Sequence, residues 1–95
     1  MKIVKEFVLR EIAGEAILVP TGEAAQEYNG MITMTDTAKF IWEHLEKADS
    51  LDELVEMMTK EYEVKEEIAR RDAIGLITAL MEHGLVECTK EDRTW

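Results

Sequence analysis

Three side chains carry the chemistry of a metal ligand or an activated nucleophile: His44, His83 and Cys88. A metal site needs its ligands at spacings that one helix or turn brings together. No HExxH, HxH or CxxC surrounds these three. The glycine-bearing motifs GxSxG, GxGxxG and the P-loop are absent too, so no nucleophile elbow or phosphate cradle is encoded. His83 falls near a predicted helix C-terminus, where a cation is favoured by the dipole, and His44 reads as a solvated helix position. Acids outnumber bases, 21 to 11, yet several precede a base by four residues. Glu43 with Lys47, Glu56 with Lys60, Glu66 with Arg70 and Glu67 with Arg71 are in the orientation that stabilises a helix surface. Solvated helix faces account for these charges better than acid–base catalysis does. The expectation is a non-enzyme with no catalytic residues, no metal and no cofactor.

Ninety-five residues at 46% hydrophobic content support one compact core, shared between all elements because a domain this small is marginal. A formal charge of −10 argues against nucleic-acid phosphate as a partner. One cysteine excludes an internal disulfide. The opening residues, Met1 to Glu6, meet charge too early for a signal peptide, and no apolar run approaches the roughly 18 residues of a membrane span. A soluble, cytoplasmic protein without a membrane or nucleic-acid partner is expected.

Positioning falls to a sheet followed by helices. Phe7–Ile12 and Glu15–Pro20 are β-rich runs split by Ala13-Gly14, a hairpin spacing in which Pro20 is tolerated at a strand end or edge. Glu23 to Tyr28 reads as a weaker strand leading into an Asn29-Gly30 turn. Met31, Ile32, Thr33, Met34 and Thr35 alternate as a further strand. If the strands meander in order, that segment is a sheet edge, where another strand can pair. Thr35 or Asp36 caps a first helix whose apolar face is Ala38, Ile41, Trp42 and Leu45. Ser50 and Glu53 form a capping box for a second, with Leu51, Leu54, Val55 and Met58 inward. A third runs from about Lys65 to His83 and stops at Gly84. On it, Ala69, Ala73, Ile74, Ile77, Leu80 and Met81 form the wide apolar arc. Ile68, Gly75 and Ala79 fall on another side, near Asp72. Glycine inside a helix costs about 1 kcal/mol relative to alanine, so its presence there suggests close approach of another backbone, either a packed element or a ligand. Leu85 to Cys88 closes the domain as a short strand, and residues 89–95 form a polar, frayed tail.

These residues resemble the PqqD family. Phe7–Ile12 followed by Ile17-Leu18-Val19-Pro20-Thr21-Gly22 is similar to its opening, and Met34-Thr35-Asp36-Thr37-Ala38 with Ile41-Trp42 to the start of its first helix. Leu54-Val55, Glu61-Tyr62-Glu63-Val64 and the final helix ending Gly84-Leu85-Val86 extend the match over about residues 3–88. The resemblance implies an α+β, winged-helix-like fold: an antiparallel meander of three or four strands, three helices and a short C-terminal strand, one domain over 1–88. It implies a binding module for ribosomally made, post-translationally modified peptides. Such a module holds the leader of a precursor peptide by strand addition and presents it to a modifying enzyme, often a radical S-adenosylmethionine protein, as in pyrroloquinoline quinone biosynthesis. The implied peptide site is Met31, Ile32, Thr33, Met34 and Thr35 together with Ile68, Arg71, Asp72, Gly75 and Ala79. A homo-oligomer stays open. So do two other classes: a winged-helix DNA-binding regulator, which the mixed charges of the third helix disfavour, and a small interaction or dimerisation domain.

Overall fold

The computed structural model describes residues 1–27, 30–90 and Asp92. Along the chain run β1 (Lys2–Ile3), β2 (Phe7–Ile12), β3 (Glu15–Pro20) and α1 (Ala24–Glu27), then β4 (Ile32–Met34), α2 (Asp36–His44), α3 (Leu51–Glu61), α4 (Glu66–Glu82) and β5 (Val86–Glu87). This is the expected α+β order, an antiparallel sheet followed by helices and a short last strand.

Ala13 and Gly14 both take positive φ, 53° and 82°, which is what a two-residue type I′ turn demands. The turn fixes the register of β2 against β3, from Ile12 opposite Glu15 to Phe7 opposite Pro20. β4 then pairs antiparallel with β3, Ile32 opposite Leu18 and Met34 opposite Ala16, giving the order β2-β3-β4 with β4 at an edge. Ala16, Leu18 and Met34 point into the core. Pro20 costs no ladder bond. It lies opposite Phe7 in a pair that exchanges no bonds, and on its other side β4 does not extend far enough to need its amide.

Three expectations are corrected. The strand expected over Glu23 to Tyr28 is replaced, as far as Glu27, by the short helix α1 of residues 24–27, which lies against β3 and buries Ala24; Tyr28 lies outside the described residues. Ala-Ala-Gln-Glu are strong helix formers, and the Thr21-Gly22 break frees them from the sheet. The Asn29-Gly30 turn cannot be placed, because Asn29 lies outside the described residues. The strand expected over 31–35 is Ile32–Met34 alone. The expected C-terminal strand is present, shortened to β5, and pairs with β1, Lys2 opposite Glu87 and Ile3 opposite Val86. The tail is not frayed where it is described. Thr89 N–H donates to Asp92 Oδ2 at 2.9 Å, Asp92 N–H returns a bond to Thr89 Oγ1, and the Met1 amine lies 3.2 Å from Asp92 Oδ2.

The helices cover one face of the sheet. Thr35 is the N-cap of α2, its Oγ1 accepting from the Ala38 amide at 3.1 Å. Ser50 caps α3 by accepting from Glu53 N–H, but the Glu53 carboxylate takes the Asp49 amide rather than that of Ser50. α4 ends at Gly84, where φ is 76°. Leu18, Ile41, Leu45, Leu51, Leu54, Met58 and Ile77 are sealed from solvent. Truncation of any of these to alanine is worth about 2–5 kcal/mol.

Candidate peptide-binding groove

The direction of each backbone group on the β4 edge follows from the turn. In a two-residue hairpin the closing pair exchanges hydrogen bonds, so Ile12, Arg10 and Val8 bond across to Glu15, Ile17 and Val19. The Thr21 N–H to Glu6 O bond, 2.7 Å, continues that alternation beyond the strand end. The intervening residues of β3, Ala16 and Leu18, therefore turn their amides and carbonyls toward β4, where they meet Met34 and Ile32. Thr33, between them, points its own N–H and C=O away from the sheet. The Thr35 carbonyl is already taken by the Lys39 amide at 2.9 Å. The edge thus offers one full donor–acceptor pair, at Thr33.

Beside this edge lies an open groove of about 710 Å³. Ile32, Thr33, Met34 and Thr35 form one wall, and Arg71, Asp72, Gly75, Leu76 and Ala79 of α4 the other. Thr37, Ala38 and Ile41 of α2 close its end. A Cβ built on Gly75 would meet nothing within 4 Å, so the missing side chain leaves open space rather than room for a packed neighbour. Gly75 and Ala79 are exposed, which removes the packed-element explanation for the small residues. A second, more apolar recess of about 390 Å³ continues past Ile32, Leu76 and Ala79 to Met31, Leu80 and His83.

Eight of the ten residues singled out from the sequence meet on this groove: Ile32, Thr33, Met34, Thr35, Arg71, Asp72, Gly75 and Ala79. The other two do not line it. Met31, 60% exposed, rims the second recess, and Ile68, 40% exposed, sits outside both. Leu76 and the α2 residues were not anticipated. Leu76 was legible, since 72, 75, 76 and 79 share one helix face. Ala38 and Ile41 read from their spacing as core positions of α2, and they also line the groove.

Arg71 and Asp72 are the charged residues of the groove. Glu67, expected to pair with Arg71, does not. The preceding Arg70 instead collects the acids, holding Asp52 at 2.7 Å and Glu66 at 3.2 Å, and those hydrogen bonds raise its pKa further. Catalytic hardware is not gathered here. His44 is not a solvated residue: it is half-buried, stacked on Phe40 with ring centroids 4.0 Å apart, its Nδ1 2.8 Å from the Phe40 carbonyl oxygen. His83 is the C-cap residue of α4, and Cys88 packs against the core. No group of three or more His, Cys, Asp or Glu among the described residues is placed to hold a metal ion. No helix among them is long and apolar enough to cross a membrane.

The family model described as Coenzyme PQQ synthesis protein D (PqqD) matches residues 15–86, from β3 to the first residue of β5. The chain belongs to the PqqD family. Among solved structures it is similar to TbiB1 in complex with the TbiA(β) leader peptide, at 25% identity and a TM-score of 0.69, over 94% of this chain and 98% of that one. No curated protein matches it in sequence. Family membership and this likeness agree with the fold, since the matched region contains both walls of the groove.

Proposed function

We propose that this PqqD-family chain is a non-catalytic binding module that holds the leader of a ribosomal precursor peptide as an added strand on β4, against α4. The observation that carries the reading is the outward backbone pair of Thr33, set beside an open groove with no side chain at Gly75. Strand addition takes affinity from main-chain hydrogen bonds and specificity from pockets for alternate side chains, and both parts are on this face. The likeness to a leader-bound structure supports the same reading. On this reading the bound peptide is presented to a modifying enzyme, a radical S-adenosylmethionine protein in the first instance.

The test is titration of isotopically labelled protein with a synthetic leader, taken from the short reading frame nearest the gene. Amide shifts are expected to concentrate at Ile32–Thr35 and Arg71–Ala79. Saturable binding that moves only β1, β5 or α3 would refute the assignment of the site. Incubation of the protein alone with the full precursor should leave its mass unchanged.

A further inference from the structure

Arg71 is an unspent cation in an acidic molecule. The chain carries −10 overall. Arg70 is held by two carboxylates, whereas Arg71, one residue on, is exposed and makes no ion pair among the described residues although Glu67 lies one turn away. It opens instead onto the groove.

The ladder sets what can stand opposite it. A peptide residue bonded to Thr33 shares the outward face of the Thr33 side chain, so its two neighbours turn toward α4. Those two side chains are about 6.8 Å apart. From Arg71 to Gly75 the helix rises about 6 Å, a matching interval. The second recess joins Met31 and Ile32 to Ala79, Leu80 and His83, so β4 and α4 run in opposite senses and Arg71 lies toward the Thr35 end.

We infer that Arg71 is a specificity residue that pairs with an acidic side chain of the bound peptide, two positions from an apolar side chain seated over Gly75 and Ala79. This rests on the strand-addition reading above. Asp72, also on the groove, repels a second acid and so limits the preference to one position.

A phage library of random dodecapeptides panned on wild type, Arg71→Glu and Thr33→Pro tests it, with melting curves to show that each variant is folded. Wild type should enrich Asp or Glu two residues from an apolar residue. Arg71→Glu should lose that enrichment, and an enriched peptide resynthesised should bind it at least about fivefold more weakly, since like charges now face each other. Replacing the peptide's acid by lysine should restore binding to Arg71→Glu. Peptides that depend on Thr33 but show no acidic preference, or bind Arg71→Glu equally, overturn the role of Arg71 and leave strand addition standing. Absence of any enriched peptide sensitive to Thr33→Pro overturns both.

Discussion

Proline scanned along β4 separates strand addition from every other use of the groove, because the three positions differ in where their amides point. Thr33 N–H faces away from β3, so proline there breaks no ladder bond, and an edge strand tolerates it. Its stability cost should stay within about 1 kcal/mol, a fall of about 4–8 °C in Tm for a domain of this size. Binding should suffer more. The peptide carbonyl opposite loses its donor while remaining buried, which costs about 1–3 kcal/mol, or about 5- to 150-fold in Kd at 1.4 kcal/mol per decade. Ile32→Pro and Met34→Pro should behave in the opposite way. Each removes an N–H that donates to the carbonyl of Leu18 or Ala16 on β3, and leaves that acceptor unpaired inside the sheet at a similar cost to folding. The measurements are thermal melts by circular dichroism and leader titration by calorimetry on the same three variants. A folded Thr33→Pro protein that binds within twofold of wild type would refute strand addition at this edge. A collapse of Thr33→Pro with the other two unharmed would show that the assignment of outward and inward amides is reversed.

Gly75→Ala should raise stability by about 0.5–1 kcal/mol through helix propensity yet weaken leader binding, since the added methyl enters open groove space; melting and titration must move in opposite directions. Ala79→Trp, at an exposed position, should leave Tm within a few degrees and abolish measurable binding, and a large loss of stability would mean that it packs against the core. Asp92 is held below the usual carboxylate range, chiefly by the Thr89 amide and with help from the Met1 amine. The stability it contributes is therefore full above the unfolded pKa of about 3.9 and lost as pH falls through the depressed native value. Asp92→Asn should lower Tm near neutral pH, with the gap to wild type closing under strong acid. Labelled duplex DNA should show no salt-sensitive binding at any ionic strength, as a surface of this charge has few cations to displace condensed counterions. Micromolar duplex affinity falling steeply with salt would favour a regulator instead.

What was legible in the sequence is what local physics decides. Ala13-Gly14 between two β-rich runs fixed the hairpin to the residue, and Thr35, Ser50 and Gly84 placed helix ends because orphan backbone groups demand those residue types. The edge at Ile32–Met34 and the small-residue face of α4 were both visible as periodicities. Their meeting was not, since no spacing rule relates residue 33 to residue 75. β1 was hidden for the same reason: Lys2 and Ile3 form a strand only because Val86 and Glu87 arrive beside them. α1 is not legible because the Asn29-Gly30 turn signal that follows it favours a strand over the helix propensity of Ala24 to Glu27. Arg71 shows the limit of pairwise charge rules. The i,i+4 pattern gave Arg70 and Arg71 equivalent partners, and tertiary contact with Asp52 of α3 claimed only the first.

The pairing of β1 with β5 sets the first and last strands side by side, with Val4 N–H also donating to the Leu85 carbonyl at 2.8 Å. Two strands that leave side by side need only a narrow gap in whatever they are joined to. Such a pair is suited to splicing into a surface loop of another protein, where a host loop feeds β1 and resumes after β5 with little displacement of its own ends, at the loss of the Met1 amine's charge beside Asp92. Such a graft would place the groove at the host's surface and turn an encounter in solution into a tethered one, with the local peptide concentration set by geometry.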